Sequence, residues 1–264
     1  MTYTNSDHTF VVCAYKESEY LKELLSSLMQ QTVRTNIIIA TSTPNQHIEN
    51  LAGEYHLPVY INTGETGIAG DWNFALRSAN TPLVTIAHQD DIYEPEYAEK
   101  MLAAINKAKD PIIAFSHYAE LRNGEKVYEN RLLQIKKLLL IPMRLSQNSI
   151  FLRRCSLSLG NPICCPAVTY VKASVLDLPF ESTFSCSLDW AQWEKLSKQK
   201  GAFVYVNKPL MCHRIHEESA TSVLIQDSRR SQEDFEMFCR FWPKPIATLL
   251  EKFYSASEKS NELD

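Results

Sequence analysis

Two adjacent carboxylates mark the segment of this sequence that is best suited to chemistry. Asp90 and Asp91 follow an apolar run, Leu83 to Ala87, which has the composition of a buried strand, and Pro95 closes the loop behind them. In open α/β sheets, ligands bind beyond the carboxyl ends of the strands. Carboxylate oxygens suit Mg²⁺ or Mn²⁺, and a metal ion with few protein ligands completes its shell with phosphate oxygens. The segment therefore predicts an enzyme that handles a diphosphate.

The bulk composition is that of an ordinary globular protein. The 264 residues suffice for one large or two small domains, and 45% of them are hydrophobic. Because 27 basic residues face 31 acidic ones, the net charge is −4 and bulk binding to nucleic acid is not expected. Seven cysteines without a C-x-x-C spacing indicate reduced thiols. With a polar N-terminus and no run of 18 apolar residues, we expect a cytoplasmic protein without signal peptide or transmembrane helix.

Strand and helix signals alternate along the first 110 residues. Apolar runs predict strands at residues 10–14, 36–40, 59–61 and 83–87. Helical periodicity predicts helices at residues 18–31, with Ser18 as N-cap, and at 48–55, 67–78 and 96–107. This alternation predicts a parallel sheet with right-handed crossovers.

The pattern changes after Asp110. An Asn123-Gly124 pair predicts a hairpin turn between strands at 112–116 and 125–129. A strand leading to Tyr170, a helix at 189–199, a strand at 203–206 and a helical stretch at 226–256 follow.

Five motifs stand in a fixed order: Val11-Val-Cys-Ala-Tyr-Lys-Glu17, Gly67-Ile-Ala-Gly-Asp-Trp-Asn73, His88-Gln-Asp-Asp91, Ser187-Leu-Asp-Trp190 and His213-Arg-Ile-His216. The set resembles the motifs of family 2 glycosyltransferases and covers residues 8–222. The resemblance implies a glycosyltransferase A fold, an α/β architecture with a mostly parallel central sheet flanked by helices. It implies a catalytic domain at 1–222, with a nucleotide-sugar-binding half at 1–110 and an acceptor-binding half at 111–222, followed by a C-terminal helical extension at 223–264.

The resemblance also implies a reaction, the inverting transfer of a sugar from a nucleotide-sugar donor with Mn²⁺ or Mg²⁺ as cofactor. A cation between the two phosphates stabilises the leaving diphosphate. Asp90 aligns with the family's main metal ligand and Asp91 is its neighbour. Because side chains of adjacent strand residues point in opposite directions, one of the two, Asp90, is expected to bind directly. The alternative is an Asp-Asp turn that caps the following helix.

Asp189 matches the position of the catalytic base, which removes the proton of the acceptor hydroxyl. The alternative for Asp189 is a helix N-cap, a position that Asp favours. His216 matches a residue that ligates the metal or hydrogen-bonds the diphosphate, and Arg214 can neutralise the diphosphate. Lone histidines are often structural instead.

The remaining candidates are expected to bind the donor. Tyr15 can stack on the nucleobase and Glu17 can reach the base or ribose, but a core aromatic and a helix-start charge are the alternatives. The other candidate donor-binding residues are Ala14, Thr41, Gly67, Asp71, Asn73, His88 and Gln89. Capping explains Asp71 and Asn73 equally well, and His88 can instead shape the loop.

The sequence departs from the family pattern at informative places. Ala40 stands where an Asp normally reads the uracil edge, so dTDP and GDP sugars stay open beside UDP sugars. Trp72 replaces an Arg. The Gln-x-x-Arg-Trp motif of processive synthases is absent, which favours transfer of a single sugar. Two rival functions remain, a sugar nucleotidyltransferase and a non-catalytic partner subunit that has kept the fold.

Two further segments suggest partners. The basic, apolar stretch from Arg131 to Arg154 can lie on anionic lipid and meet a polyprenyl-diphosphate-linked acceptor, as in bacterial surface polysaccharide synthesis. Alternatively, it packs on the sheet with its basic side chains outward. Phe235, Phe238 and Phe241 form either a homodimer surface or part of the core.

Overall fold

A single large sheet organises the molecule. The computed structural model describes residues 2–216 and 229–261, with side chains as far as residue 255. Its strands are β1 (His8–Ala14), β2 (Asn36–Thr41), β3 (Val59–Ile61), β4 (Leu83–His88), β5 (Ile92–Tyr93), β6 (Pro111–Arg122), β7 (Glu125–Val127), β8 (Val168–Val171) and β9 (Ala202–Ile215). They lie in the order β3-β2-β1-β4-β8-β6-β9-β5, with β7 beside β6.

Helices cover both faces of this sheet. They are α1 (Leu21–Met29), α2 (Gln46–Glu54), α3 (Ile68–Ser78), α4 (Tyr97–Lys107), α5 (Arg131–Leu139), α6 (Ile141–Leu145), α7 (Ile150–Leu157), α8 (Lys172–Val175), α9 (Leu188–Leu196), α10 (Arg229–Cys239) and α11 (Lys244–Asn261). None of the described helices is both long and apolar enough to span a bilayer.

The first four strands form the predicted parallel sheet. Residue Val11 of β1 pairs in parallel register with Ile38 of β2 and Ile86 of β4. Successive side chains of β1 alternate between two cores: Phe10 and Val12 pack with α1, α2 and α4, whereas Val11 packs with α3. Burial on both faces explains why these strands are continuous apolar runs in the sequence.

The second half of the sheet is mixed. Strand β8 is antiparallel to both neighbours, β4 and β6, while β6 and β9 are parallel to each other. The predicted α/β architecture is confirmed, with a mixed sheet that is wholly parallel only among β1–β4. Positive φ angles at Asn123 (50°) and Gly124 (83°) confirm the hairpin turn between β6 and β7.

Several predicted boundaries were wrong. Helix α1 begins at Leu21, because residues 18–20 form a turn in which the Ser18 carbonyl accepts the Leu21 amide. Strands β6 and β9 run for 12 and 14 residues. They exceed the predictions because their pairing continues past register shifts near His117, through a polar part of β9 at residues 207–208.

Residues 131–154 form three short helices. Asn130 caps α5 and Ser149 caps α7, each by accepting a backbone N–H with its side-chain oxygen. Pro142 lies in the first turn of α6, where its missing N–H costs nothing. Pro142 and the Ser149 cap thus divide this stretch into separate helices, although its composition is apolar and basic throughout.

The C-terminal helices belong to the same core as the sheet. Phe238 is 1% exposed, and its ring meets that of Trp190 edge to face at 5.1 Å. Phe235 and Phe241 pack against the same cluster. Of the two alternatives for these aromatic residues, the core is the one observed for Phe238, and Phe235 and Phe241 are partly buried against it. The predicted boundary between residues 222 and 223 lies outside the described residues.

Candidate active site

The ends of β4 and β9 bring together a carboxylate and an imidazole. Asp90 Oδ2 lies 3.1 Å from His216 Nε2, and the two side chains are 20% and 19% exposed. An oxygen and a nitrogen donor that remain accessible at the edge of the sheet suit a divalent cation. The described residues contain no group of three or more His, Cys, Asp or Glu side chains that could hold a metal. A cation at this edge would therefore need oxygen ligands from a substrate.

Asp91 points into the protein, away from this edge. Its side chain is fully buried, and Oδ1 accepts hydrogen bonds from His213 Nδ1 at 2.9 Å and from the Arg214 amide at 3.0 Å. Burial would lower the pKa of His213, but the charge of Asp91 raises it above its ordinary value. Asp91 thus ties the loop after β4 to β9, in agreement with the expectation that one of the two carboxylates faces the metal.

Arg214 positions the Asp90 loop. Its Nε donates to the Asp90 carbonyl at 2.8 Å, its guanidinium hydrogen-bonds Glu23, and it lies 4.3 Å from the ring centroid of Tyr20. The contact of Arg214 with the diphosphate stays a prediction; in the structure its side chain is buried and its charge is paired with Glu23.

The loop after β1 is held in place by Gln89. Its side-chain amide accepts from the Tyr15 N–H at 2.8 Å and donates to the Tyr15 carbonyl at 3.1 Å. The Tyr15 ring remains half exposed, and Glu17 is also exposed, whereas Ala14 is buried. The Tyr15 ring is therefore free of the core and available for stacking, while Gln89 acts on the loop.

Two further candidates brace the neighbouring loops. Thr41 is buried and its hydroxyl accepts the Thr43 amide at 3.0 Å, so it stabilises its own loop, and its contact with the base stays a prediction. Asp71 accepts from Ser42 Oγ at 2.9 Å and from Asn62 Nδ2 at 2.8 Å. Asp71 thus joins the loops after β2 and β3 to the start of α3.

Asn73 is a packing residue. It is buried, and its side-chain amide exchanges two hydrogen bonds with the backbone of Phe180, at 2.8 and 3.0 Å. A contact of Asn73 with the donor stays a prediction, and the contacts observed are those with Phe180. Gly67, with φ 88°, begins α3, and a Cβ on Gly70 would lie 2.3 Å from the Glu65 carbonyl oxygen. The glycines therefore allow this loop to lie against the helix.

His88 is a half-buried imidazole at the end of β4, two residues before Asp90. Its ring stacks on Trp72 with centroids 4.9 Å apart. Burial lowers the pKa of His88 to about 4, so the ring is neutral at neutral pH. Its Nε2 has no hydrogen-bond partner among the described residues, but the same holds for atoms away from this edge, such as Ser116 Oγ. The unsatisfied nitrogen therefore does not by itself mark a ligand site.

Asp189 lies in the first turn of α9, whose N-cap is Ser187. Asp189 Oδ2 accepts from Asn161 Nδ2 at 2.8 Å, and Oδ1 accepts from the Trp190 amide at 2.7 Å. Burial raises the pKa of Asp189, although these hydrogen bonds and the charges of Lys136 and Arg230 oppose the shift. A carboxylate with a raised pKa is better suited to accept a proton near neutral pH.

The residues that hold α9 in place were not predicted from the sequence. Glu233 of α10 accepts hydrogen bonds from the amides of Ser185, Cys186 and Ser187 at 2.9, 2.7 and 3.0 Å. Asp234 Oδ1 accepts from Ser187 Oγ at 2.7 Å. Ser187 and Glu233 are 46 positions apart in the sequence, so no local pattern predicts the hydrogen bond between them.

Glu233→Gln is expected to destabilise the protein by about 2 kcal/mol and to lower kcat, because three amides lose a charged acceptor. Thermal unfolding and transfer rates well below the melting temperature measure the two effects. Glu236→Gln is the matched control, since Glu236 is on the same helix and 61% exposed. Equal melting temperatures for the two variants would contradict the role assigned to Glu233.

Lys136 is a second residue that the sequence analysis did not place at the site. Its Nζ donates to the hydroxyl of the buried Tyr118 at 2.9 Å, and the Tyr118 ring lies 6.4 Å from that of His213. Helix α5 therefore directs Lys136 into the interior, beside Tyr118 and near His213.

Solved glycosyltransferase structures share this sheet and its flanking helices, so the chain has the glycosyltransferase A fold. The chain belongs to glycosyl transferase family 2, which matches residues 9–177. A curated relative, an uncharacterized glycosyltransferase of Haemophilus influenzae, is 26% identical over 117 residues, or 42% of this chain. The chain covers 36% of the length of that relative.

Solved structures share the fold at low sequence identity. S. aureus TarS 1-349 in complex with UDP-GlcNAc has a TM-score of 0.63 and 15% identity, covering 93% of this chain and 70% of that chain. The mannosyltransferase PcManGT of Pyrobaculum calidifontis, in complex with GDP-Man and Mn²⁺, has a TM-score of 0.63 and 14% identity, covering 94% and 69%.

Proposed function

We propose that the protein is an inverting glycosyltransferase that moves one sugar from a nucleotide-sugar donor to a saccharide acceptor. The observation that carries this proposal is the division of labour between two carboxylates. Asp90 lies accessible beside His216 at the edge of the sheet, whereas Asp189 lies half-buried in the first turn of α9 with a raised pKa. Asp90 and His216 suit a diphosphate that is held through a cation, and Asp189 suits removal of a proton.

Asp90 and His216 are the residues that would hold Mn²⁺ or Mg²⁺. The fit rests on their donor atoms, a carboxylate oxygen and an imidazole nitrogen that lie 3.1 Å apart and stay partly exposed. When bound, the cation would neutralise charge on the departing diphosphate.

Asp189 performs the proton transfer in this proposal. Its carboxylate takes the proton of the acceptor hydroxyl as the oxygen forms a bond to the anomeric carbon. The bond from that carbon to the diphosphate oxygen breaks on the opposite face, so the configuration is inverted and a nucleoside diphosphate leaves. Asn161 holds Asp189 Oδ2 at 2.8 Å and orients the base.

The nucleobase is proposed to stack on Tyr15, whose half-exposed ring is held at the donor edge by Gln89. Glu17 is exposed in the same loop and is proposed to reach the base or ribose. UDP-GlcNAc and GDP-Man are the donors bound by the two structural neighbours, so uridine and guanosine sugars are the first to test.

The setting we propose is bacterial surface polysaccharide synthesis at the inner, cytoplasmic face of the plasma membrane. The acceptor would be a saccharide carried on a polyprenyl diphosphate. The basic, apolar helices α5 and α7, in the proposed acceptor-binding half of the chain, support an acceptor of this kind.

A panel of nucleotide sugars tests the reaction class. Each donor is incubated with Mn²⁺ and with saccharide acceptors, and the released phosphates are measured. Release of nucleoside diphosphate is the expected result. Release of pyrophosphate from sugar phosphate and nucleoside triphosphate would indicate a nucleotidyltransferase instead, and failure to bind any nucleotide would indicate a partner subunit.

A further inference from the structure

The most protruding apolar side chains of the protein are concentrated in two segments. The four most exposed large apolar residues described are Leu145 (75%), Phe151 (73%), Phe253 (68%) and Leu138 (64%). Three of them belong to α5–α7 and the fourth to α11. Exposed apolar residues scattered singly are ordinary, but a concentration of this kind marks an interaction surface.

Helix α11 presents a clear apolar stripe to solvent. Ile246, Leu249 and Phe253 follow a spacing of three and four residues and are all exposed, at 44%, 55% and 68%. The opposite side of the helix packs into the protein through Ala247, which is fully buried, and through Leu250 and Tyr254. The stripe is therefore additional to what α11 needs to hold its place.

The two segments meet at Gly160. A Cβ on Gly160 would lie 2.9 Å from the Tyr254 ring of α11 and 3.7 Å from the Leu139 side chain of α5. Helices α5 and α11 therefore converge at Gly160. We call the exposed apolar residues of α5–α7 and α11 the apolar rim: Ile135, Leu138, Ile141, Leu145, Ile150, Phe151, Ile246, Leu249 and Phe253.

The charge around the apolar rim is positive. Residues 131–176 contain seven Lys and Arg and no Asp or Glu, although the whole chain has a net charge of −4. The structure turns part of this charge inward, since Arg153 donates to the carbonyls of Ser197 and Gly201 and Arg154 pairs with Glu194.

Other basic residues stay beside the apolar rim. Arg131 and Arg144 are exposed, and α11 adds the exposed Lys244 and Lys252. Both earlier interpretations of residues 131–154 therefore apply in part: some basic residues support the fold, and the outer face remains apolar and cationic.

We propose that the apolar rim docks on an anionic lipid bilayer. Protruding Leu and Phe side chains enter the boundary between headgroups and acyl chains, while Lys and Arg attract anionic headgroups. The absence of acidic residues from 131–176 favours this partner over a second copy of the chain, whose net charge is negative but whose own apolar rim is positive. Like charges facing each other would oppose such pairing.

Membrane docking deepens the proposed function. The docking itself does not depend on that function, but its purpose, the presentation of a membrane-anchored acceptor, rests on it. Lys136 and the buried Leu133 of α5 face the interior beside Tyr118, while Ile135 and Leu138 face outward. Helix α5, about 10 Å in diameter, thus lies between the proposed bilayer surface and the Tyr118 ring beside His213. An acceptor anchored in the membrane would be presented directly to Asp189.

Sedimentation with vesicles tests the proposal. The full chain is mixed with vesicles of phosphatidylcholine, with or without phosphatidylglycerol, and the bound fraction is measured. We expect binding to the anionic vesicles that weakens as salt rises. The double substitution Leu145→Ser and Phe151→Ser is expected to reduce binding about tenfold or more, since each side chain gives up a buried apolar surface. Arg144→Glu is expected to reduce it selectively on anionic vesicles.

The matched control replaces exposed apolar residues elsewhere, Met29→Ser and Tyr60→Ser, which are 51% and 38% exposed. Unchanged binding and unchanged melting temperature are expected for it. Two results would overturn the proposal: equal binding by wild type and the Leu145/Phe151 variant, or no vesicle binding together with a dimer that the same variant dissociates. Release of nucleoside diphosphate by that variant shows that the proposed reaction stands independently of the surface.

Discussion

Asp189→Asn is expected to lower kcat for sugar transfer by at least about a hundredfold while leaving donor affinity unchanged. An amide of nearly the same shape cannot accept the proton of the acceptor hydroxyl. Burial raises the pKa of Asp189, so its ionised form destabilises the folded state above the ordinary Asp pKa. The neutral amide removes that cost, but it cannot accept from both Asn161 Nδ2 and the Trp190 amide, so one of these hydrogen bonds is lost and the stability should stay close to that of the wild type.

Single-turnover transfer, donor binding by calorimetry and thermal unfolding separate these effects. Asp177→Asn serves as control, because Asp177 is exposed eleven residues before α9 begins and should leave all three quantities unchanged. Wild-type activity in Asp189→Asn would remove this residue from the mechanism. A loss of donor affinity equal to the loss of rate would assign Asp189 to binding instead.

The pH dependence of kcat/KM gives a second view of the same carboxylate. Because the base must be ionised, activity is lost as pH falls through the pKa of Asp189, which lies above the ordinary value. Asn161→Ala removes a hydrogen bond that lowers this pKa and is expected to move the acid limb to higher pH. An unmoved acid limb would mean that another group controls it.

The parallel half of the fold could be predicted because its strands are buried on both faces. Residues such as Val11 and Ile86 lie in unbroken apolar runs, and turn residues separate them from amphipathic helices. Strand β9 could not be predicted in full, since Asn207 and Lys208 are exposed where the strand shifts register. Its final residues nevertheless carry His213 and His216 to the Asp90 loop.

The roles of polar residues were harder to predict than their positions. Thr41 bonds within its own loop, to Thr43, whereas Asn73 bonds to Phe180, 107 residues away, and Arg214 to Asp90, 124 residues away. Sequence motifs mark the residues that the site requires, whether they touch a ligand or hold those that do. Long-range contacts such as those of Asn73 and Arg214 follow no local pattern, so the structure is needed to see them.

Exchange of Asp90 for Ala is expected to abolish the effect of Mn²⁺ on nucleoside diphosphate binding. In wild type we expect Mn²⁺ to improve the affinity by at least about tenfold, whereas in Asp90→Ala the affinities with and without the metal should coincide. His216 alone then remains of the pair at the edge of the sheet. Calorimetry with UDP and GDP gives the affinities, and electron paramagnetic resonance of Mn²⁺ detects the bound ion without any need for turnover.

Asp91→Asn is the matched comparison, and it should behave in the opposite way. Asp91 is fully buried and accepts from His213 and the Arg214 amide, so its loss is expected to cost about 2 kcal/mol of stability while Mn²⁺ still binds at Asp90. If Asp91→Asn lost Mn²⁺ and Asp90→Ala did not, the assignment of the two carboxylates would be reversed. Adjacent residues of one loop would thus separate folding from binding, because one side chain faces His213 inside the protein and the other faces His216 at its edge.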